Sequence, residues 1–404
     1  MKKQFSPEEN KEFERRHHQL QQKLRTLGIG QYVMTQPDSI FYMTGASYDG
    51  LERPFFLLIG VDGSRRLLVP MLEEEHMKKA WGYQAEQLLT YREFPAPHGS
   101  GWQDSLFNQK LLNASFAFEG HCSHAIATTL VKAGGQAMDL IGDLRLIKSP
   151  WEIRQIQRAA HYADWCVRQI INQAYTGTTV AETYVHSQKL LRKIVRETPD
   201  WDPLTTKVIG AAWPAPLSAE PHSVPDIGMT LDKGPHVAMV LTKVNGYAAE
   251  SERTFFTVPP DEKEKELFGL MQAAREKAFS MIHPGVPSAA IDEEVNHFLS
   301  RSGFNHFRTR LHRCGHGFGL DNHERPWIAS GSSDVLEANM VISIEPGIYI
   351  SGKGGLRHSD TILVTDSGYS CLTKAPYRLE ELIKTKPQIK SRITGLIVKR
   401  SLGI

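Results

Sequence analysis

Cysteine is scarce and scattered. The four in this chain of 404 residues, Cys122, Cys166, Cys314 and Cys371, form no CxxC pair. That excludes a disulfide framework and a cysteine-rich zinc cluster, and it favours a reducing compartment, with the cytoplasm as the expectation. Long apolar runs are also missing. No stretch reaches the about eighteen apolar residues that a membrane span needs, so no membrane partner is expected. The opening MKKQFSPEENKEFERRHHQL lacks the apolar core of a signal peptide and reads as an amphipathic helix. An excess of one charge is absent too. Lys and Arg number 47 against 45 Asp and Glu, giving a net charge of +2. No long basic tract occurs, which argues against a nucleic-acid partner. The apolar and charged fractions, 41% and 23%, are those of a folded soluble protein. The length is enough for two domains.

The hydrophobic pattern divides the chain into an N-terminal domain over 1–147 and a C-terminal domain over 148–404. In the first, Pro7 to Leu27 reads as a helix with Phe13, Leu20, Leu24 and Leu27 on one side. QYVMT from Gln31 reads as a strand. SIFYMTG from Ser39 is ambiguous between helix and strand. Glu52 to Pro70 reads as a hairpin turning at Asp62-Gly63. Ala114 to Gly120 and the region around Leu140 read as later strands, making a small α/β domain. Ser149, Pro150 and Glu152 form a capping box and proline start for a new helix. Thr179 and Glu182 repeat that box. Two further helices span Asp261 to Ile282 and the segment before Leu299. Strands VAMVLTKV, YAAESERTFFTV, VISIEPGIYI and DTILVTD lie between and after them. The second domain therefore reads as α+β with a largely antiparallel sheet.

Four places in the second domain carry polar groups on otherwise structural scaffolding. LHRCGHGFGLDNHERP places His312, His316 and His323 among alternating glycines. Such alternation marks either a surface turn or the close approach of a ligand or another backbone. Glu345 interrupts the apolar run MVISIEPGIYI, where a charge is normally paired or functional. In GYAAESERTFF, Glu250 and Glu252 are two apart, so a strand points both to one face and Arg253 to the other. His222 lies in the proline-rich loop AEPHSVPD. Histidine can move a proton between water and a leaving nitrogen. Two carboxylates can grip a cationic group.

These motifs resemble the pita-bread family of methionine aminopeptidase, Xaa-Pro aminopeptidase, prolidase and creatinase. The resemblance rests on LRLIKSPWEI, the GY-to-RTF strand, the GHGFG…HE segment, the EPG strand and the GGLR…D strand. It implies a C-terminal pita-bread fold preceded by an N-terminal α/β domain of the creatinase and prolidase type. The peptidases of that family hold two metal ions on two Asp, one His and two Glu. By motif, these ligands fall on Met239, Glu250, His316, Glu345 and Ser359. Met239 and Ser359 are poor donors for a hard divalent ion, which leaves Glu250, His316 and Glu345 as residual metal candidates. Creatinase lacks the metals. Its GY…ERT strand is similar to the segment carrying Gly246, Tyr247, Glu252, Arg253 and Thr254, and its loop histidine matches His222.

The resemblance thus implies a creatinase-like hydrolase, independent of metal and without a cofactor. It would cleave a C–N bond in a small guanidino or N-substituted amino acid. His222 would carry the proton. Glu252 and Glu345 would hold the cationic end of the substrate. His316 and His323 would bind its polar remainder, and Arg53 its carboxylate. A homodimer is implied as well. Two other readings stay open. One is a metal-dependent Xaa-Pro dipeptidase or aminopeptidase with altered ligands, holding Mn or Zn at a degenerate site. The other is a non-catalytic pita-bread protein that binds a peptide or protein.

Overall fold

The computed structural model describes residues 5–386 and 389–403. It divides into two units, Met1–Arg145 and Leu146–Ile404. In the first unit the helix Pro7–Leu27 starts on a full capping box between Ser6 and Glu9. It ends at Gly28, whose φ of 67° is open to glycine at little cost. Its buried stripe carries Phe13, Leu20 and Leu24. The ambiguous segment resolves as a helix, Pro37–Thr44.

Six strands form the first sheet: β1 (Gln31–Met34), β2 (Phe56–Gly60), β3 (Arg65–Pro70), β4 (Leu88–Tyr91), β5 (Phe116–Phe118) and β6 (Gln136–Ala137). Their order is β4-β3-β2-β1-β5-β6. The β2–β3 hairpin turns at Asp62-Gly63, with Gly63 at φ 89°. Val33, Phe56, Leu58, Leu68, Phe116 and Phe118 of the sheet pack with Trp102 into one core. The strand expected around Leu140 is instead a helix, Leu140–Leu146. The Asp139 carboxylate accepts the Gly142 N–H there, which is the local hydrogen bond that starts a helix.

The second unit opens on the helix Pro150–Gln173. Ser149 and Glu152 cap each other reciprocally, and Pro150 sits at the first turn. The next helix, Val180–Glu197, starts on the same device from Thr179 and Glu182. Two short strands, β7 (Thr178–Thr179) and β9 (Thr230–Leu231), pair with each other. The main sheet contains β8 (Lys207–Trp213), β10 (His236–Val244), β11 (Tyr247–Phe255), β12 (Gly315–Gly317), β13 (Glu324–Ile328), β14 (Val341–Ile344), β17 (Ser359–Thr365) and β18 (Gly368–Cys371). The hairpin of β15 (Gly347–Ile350) and β16 (Gly354–Arg357) stands beside it. The main order is β13-β12-β14-β17-β11-β10-β8, with β18 on β17. The pairings are antiparallel. The Pro150–Gln173 helix covers β10 and β11. The helices Glu262–Ser280 and Ser288–Arg301 pack against each other.

Candidate active site

Strand alternation sorts the polar residues of β11. Ser251 and Arg253 face one side: Ser251 bonds Asp164 at 2.9 Å, and Arg253 pairs with Asp360 at 2.7 Å. Arg275 clamps the same Asp360 at 2.6 Å. The two guanidiniums hold the Asp360 carboxyl far below the usual range, against the opposing effect of burial. Glu250 and Glu252 face the other side, both buried. Register places Glu252 directly opposite Met239 on β10 and opposite Ser359 on β17.

The glycine-framed segment supplies the histidines. A Cβ at Gly315 would meet the Ser343 carbonyl, and one at Gly317 would meet the Arg325 carbonyl. The alternation is therefore required by neighbouring backbone. It lets β12 lie tight between β13 and β14. His316 is buried there, its N–H bonded to Ser343 Oγ at 2.9 Å and its Nδ1 to the Gly317 carbonyl at 3.2 Å. Its Nε2 lies 3.3 Å from Glu345 Oε1 and 3.9 Å from Glu250 Oε2. That nitrogen nevertheless has no hydrogen-bond partner. The exposed His323 folds back so that its ring centre is 4.0 Å from that of His316.

The site is charged, and Glu250, Glu252 and His316 are buried in it. Burial, followed by the charge of Glu345, pushes the Glu250 carboxyl up to about 8, and Ser359 Oγ donates to Glu250. Burial works the same way on Glu345, but His316 outweighs it and holds that carboxyl low. Burial opposes charge on His316, and the closeness of Glu345 and Glu250 overrides it, raising His316. Burial and the charge of His316 lower His323 to about 4. Burial raises Glu252, and the ion pair with Arg357 pulls it back.

Sequence reasoning singled out His312 without giving it a role, and it missed Tyr349 and Arg357. His312 Nε2 lies 2.6 Å from the Tyr349 hydroxyl, and Arg357 Nη1 donates to that hydroxyl at 3.1 Å. Arg357 precedes Ser359 by two, so a period-2 reading of GGLRHSD would have put it on the same face. His358 points the other way, buried with its ring 5.3 Å from that of Phe268. His222 is exposed on its loop, close enough for its charge to act on His312 and His323. Arg53 belongs to the first unit, where Glu93 and Glu52 pair with it at 2.6 and 2.7 Å.

A carboxylate oxygen of Glu250 and one ring nitrogen from each of His316 and His323 lie within 4.8 Å of one another. Two imidazoles and a carboxylate are a donor set for a divalent transition ion. The buried Nε2 of His316 makes no hydrogen bond, so it is the ring nitrogen open to such an ion once the ring is neutral. These residues fit a metal.

An antiparallel sheet carrying two histidines and three acids in one pocket defines a pita-bread hydrolase acting on C–N bonds. The chain belongs to metallopeptidase family M24, whose model matches residues 154–366; the Creatinase/Prolidase N-terminal domain matches residues 16–147. It is 31% identical over 341 residues to an uncharacterized peptidase of Staphylococcus aureus strain bovine RF122, covering 84% of this chain and 93% of that one. Its structure is similar to the prolidase from Pyrococcus horikoshii OT3, with TM-score 0.74 and 26% identity over 90% of this chain and 99% of that one. The Xaa-Pro dipeptidase from Bacillus anthracis also has TM-score 0.74, with 25% identity over 91% and 99%.

Two expectations are corrected by these findings. The metal-independent, creatinase-like reading gives way to the peptidase alternative, and the expectation of no cofactor falls with it. The physical reason is the donor set. With Met239 and Ser359 in place of two carboxylates, the sequence leaves Glu250, His316 and Glu345 as residual donors. The structure groups Glu250 and His316 with His323 in place of Glu345, through a return of His323 onto His316 that spacing alone does not reveal.

Proposed function

We propose that the chain is a metal-dependent peptidase that cleaves Xaa-Pro dipeptides, with Mn or Zn held by Glu250, His316 and His323. The observation that carries this reading is the convergence of those three donors around an unpartnered imidazole nitrogen. A divalent ion bound there supplies Lewis-acid polarisation of the scissile carbonyl and acidifies water.

The protein's own groups do the rest. Glu345 is held ionised beside His316. It accepts a hydrogen bond from the attacking water and fixes its direction. His222, at the exposed edge, carries the proton to the leaving nitrogen. His312 and Tyr349 brace Arg357, which holds Glu252 in place. A homodimer in the cytoplasm completes the proposal; among the described residues no helix is long and apolar enough to cross a membrane.

The test is turnover of a panel of Xaa-Pro dipeptides before and after chelation, with Mn or Zn restored. Cleavage that is lost on chelation and regained with the ion supports the reading. Cleavage indifferent to the chelator, or no cleavage in the loaded protein, overturns it.

A further inference from the structure

The pocket has a second carboxylate positioned for a cation. Glu252 lies two residues from Glu250 on the same face of β11, and both are buried. Its neighbours across the sheet are neutral: Met239 on one side and Ser359 on the other. Its charge is already met, because the Arg357 guanidinium pairs with it through Nε. The remaining arms of Arg357 reach the Tyr349 hydroxyl at 3.1 Å and Met239 Sδ at 3.8 Å. Ser359 in turn donates its hydroxyl proton to Glu250.

We propose that the buried Glu252–Arg357 pair occupies the place a second divalent ion would take, so that the site binds one ion per chain. The proposal rests on the peptidase reading above and deepens it. Three considerations combine. A buried carboxylate paired with a guanidinium gives up its partner only at the cost of leaving a charge unpaired. A guanidinium is fixed in charge and cannot yield by losing its proton. Thioether and hydroxyl groups do not make up a hard oxygen cage for another divalent ion. Glu252 and Arg357 are therefore positioning residues. They hold the electrostatic balance of the pocket with a covalently tethered cation in place of a diffusible one.

The experiment counts ions directly. Chelator-stripped full-length protein is titrated with Mn²⁺ and with Zn²⁺ by calorimetry, and the metal retained after desalting is counted. The expected result is one ion per chain. Glu252→Gln is expected to keep that single ion with an affinity within about tenfold, the mild end of the effect of a residue outside the ligand set. Its melting temperature falls, because Arg357 is left unpaired. Met239→Asp combined with Ser359→Glu is expected still to bind one, because the Glu252–Arg357 pair stays in place; two ions in that variant would overturn the proposal. Two ions in the wild-type chain overturn the proposal alone. A larger affinity loss in Glu252→Gln also overturns it, since it would make Glu252 a ligand. No ion in the wild-type chain overturns it together with the peptidase reading.

Discussion

At the scale of single residues, the pocket separates groups that hold from groups that move protons. His316→Ala removes the central donor and is expected to abolish both ion retention and turnover; metal counting and a dipeptide assay check the two together. His222→Ala is expected to lower kcat by about 100-fold or more while KM changes little, as for a lost general acid. An equal rise in KM would make His222 a binding residue instead. Asp360 stands apart from the chemistry. It neutralises two buried arginines, Arg253 and Arg275. Asp360→Asn leaves excess buried positive charge and is expected to cost about 3–5 kcal/mol in urea unfolding. Much of this was legible beforehand. The two-residue spacing of Glu250 and Glu252 set their shared face, and Arg253 falls opposite as the alternation requires. The approach of His323 to His316 was not legible, because a mostly irregular stretch of six residues separates them and no periodicity governs such a turn. Nor was the assignment of Glu252 to Arg357, which joins residues 105 positions apart.

At the scale of elements, glycines and caps decide where the donors sit. Gly317 lies under the Arg325 carbonyl of β13. Gly317→Ala must push the two strands apart. It is expected to cost about 1–3 kcal/mol, the usual range for overpacking, and to weaken ion binding because His316 shares the strand. A variant that binds the ion with unchanged affinity would detach the strand's packing from the site. Ser149→Ala removes one half of a capping box at the head of the second unit and should cost about 1 kcal/mol, read from the denaturation midpoint. Such boxes are local, so the helices starting at Pro150 and Val180 were readable from three or four residues each, whereas the one at Pro7 was read from its apolar spacing. The helix at Leu140 departs from the expected strand because its start depends on one aspartate whose side chain could equally serve a turn.

At the scale of the whole molecule, buried neutral histidines couple stability to pH. Burial lowers His17, His186 and His236 to about 4 each, from 6.5. The unfolded chain takes up a proton near pH 6.5 that the folded chain refuses until about pH 4. The stability these residues contribute is therefore complete above pH 6.5 and is lost progressively as pH falls toward 4. At pH 5 the loss is on the order of 2 kcal/mol per histidine. Urea unfolding at pH 7 and pH 5 should show it, and His236→Asn should reduce the difference; a midpoint that stays level across that window would refute the assignment. Family and fold unite this chain with metallopeptidases, while its pocket keeps an altered donor set. The central claim is that Glu250, His316 and His323 together hold the working ion. Anomalous diffraction at the zinc edge from crystals of the zinc-loaded, full-length protein tests it most directly. The account predicts a strong anomalous peak about 2.0–2.2 Å from a donor atom of each of those three residues. A loaded crystal with no peak there, or with its peak on other residues, would contradict it.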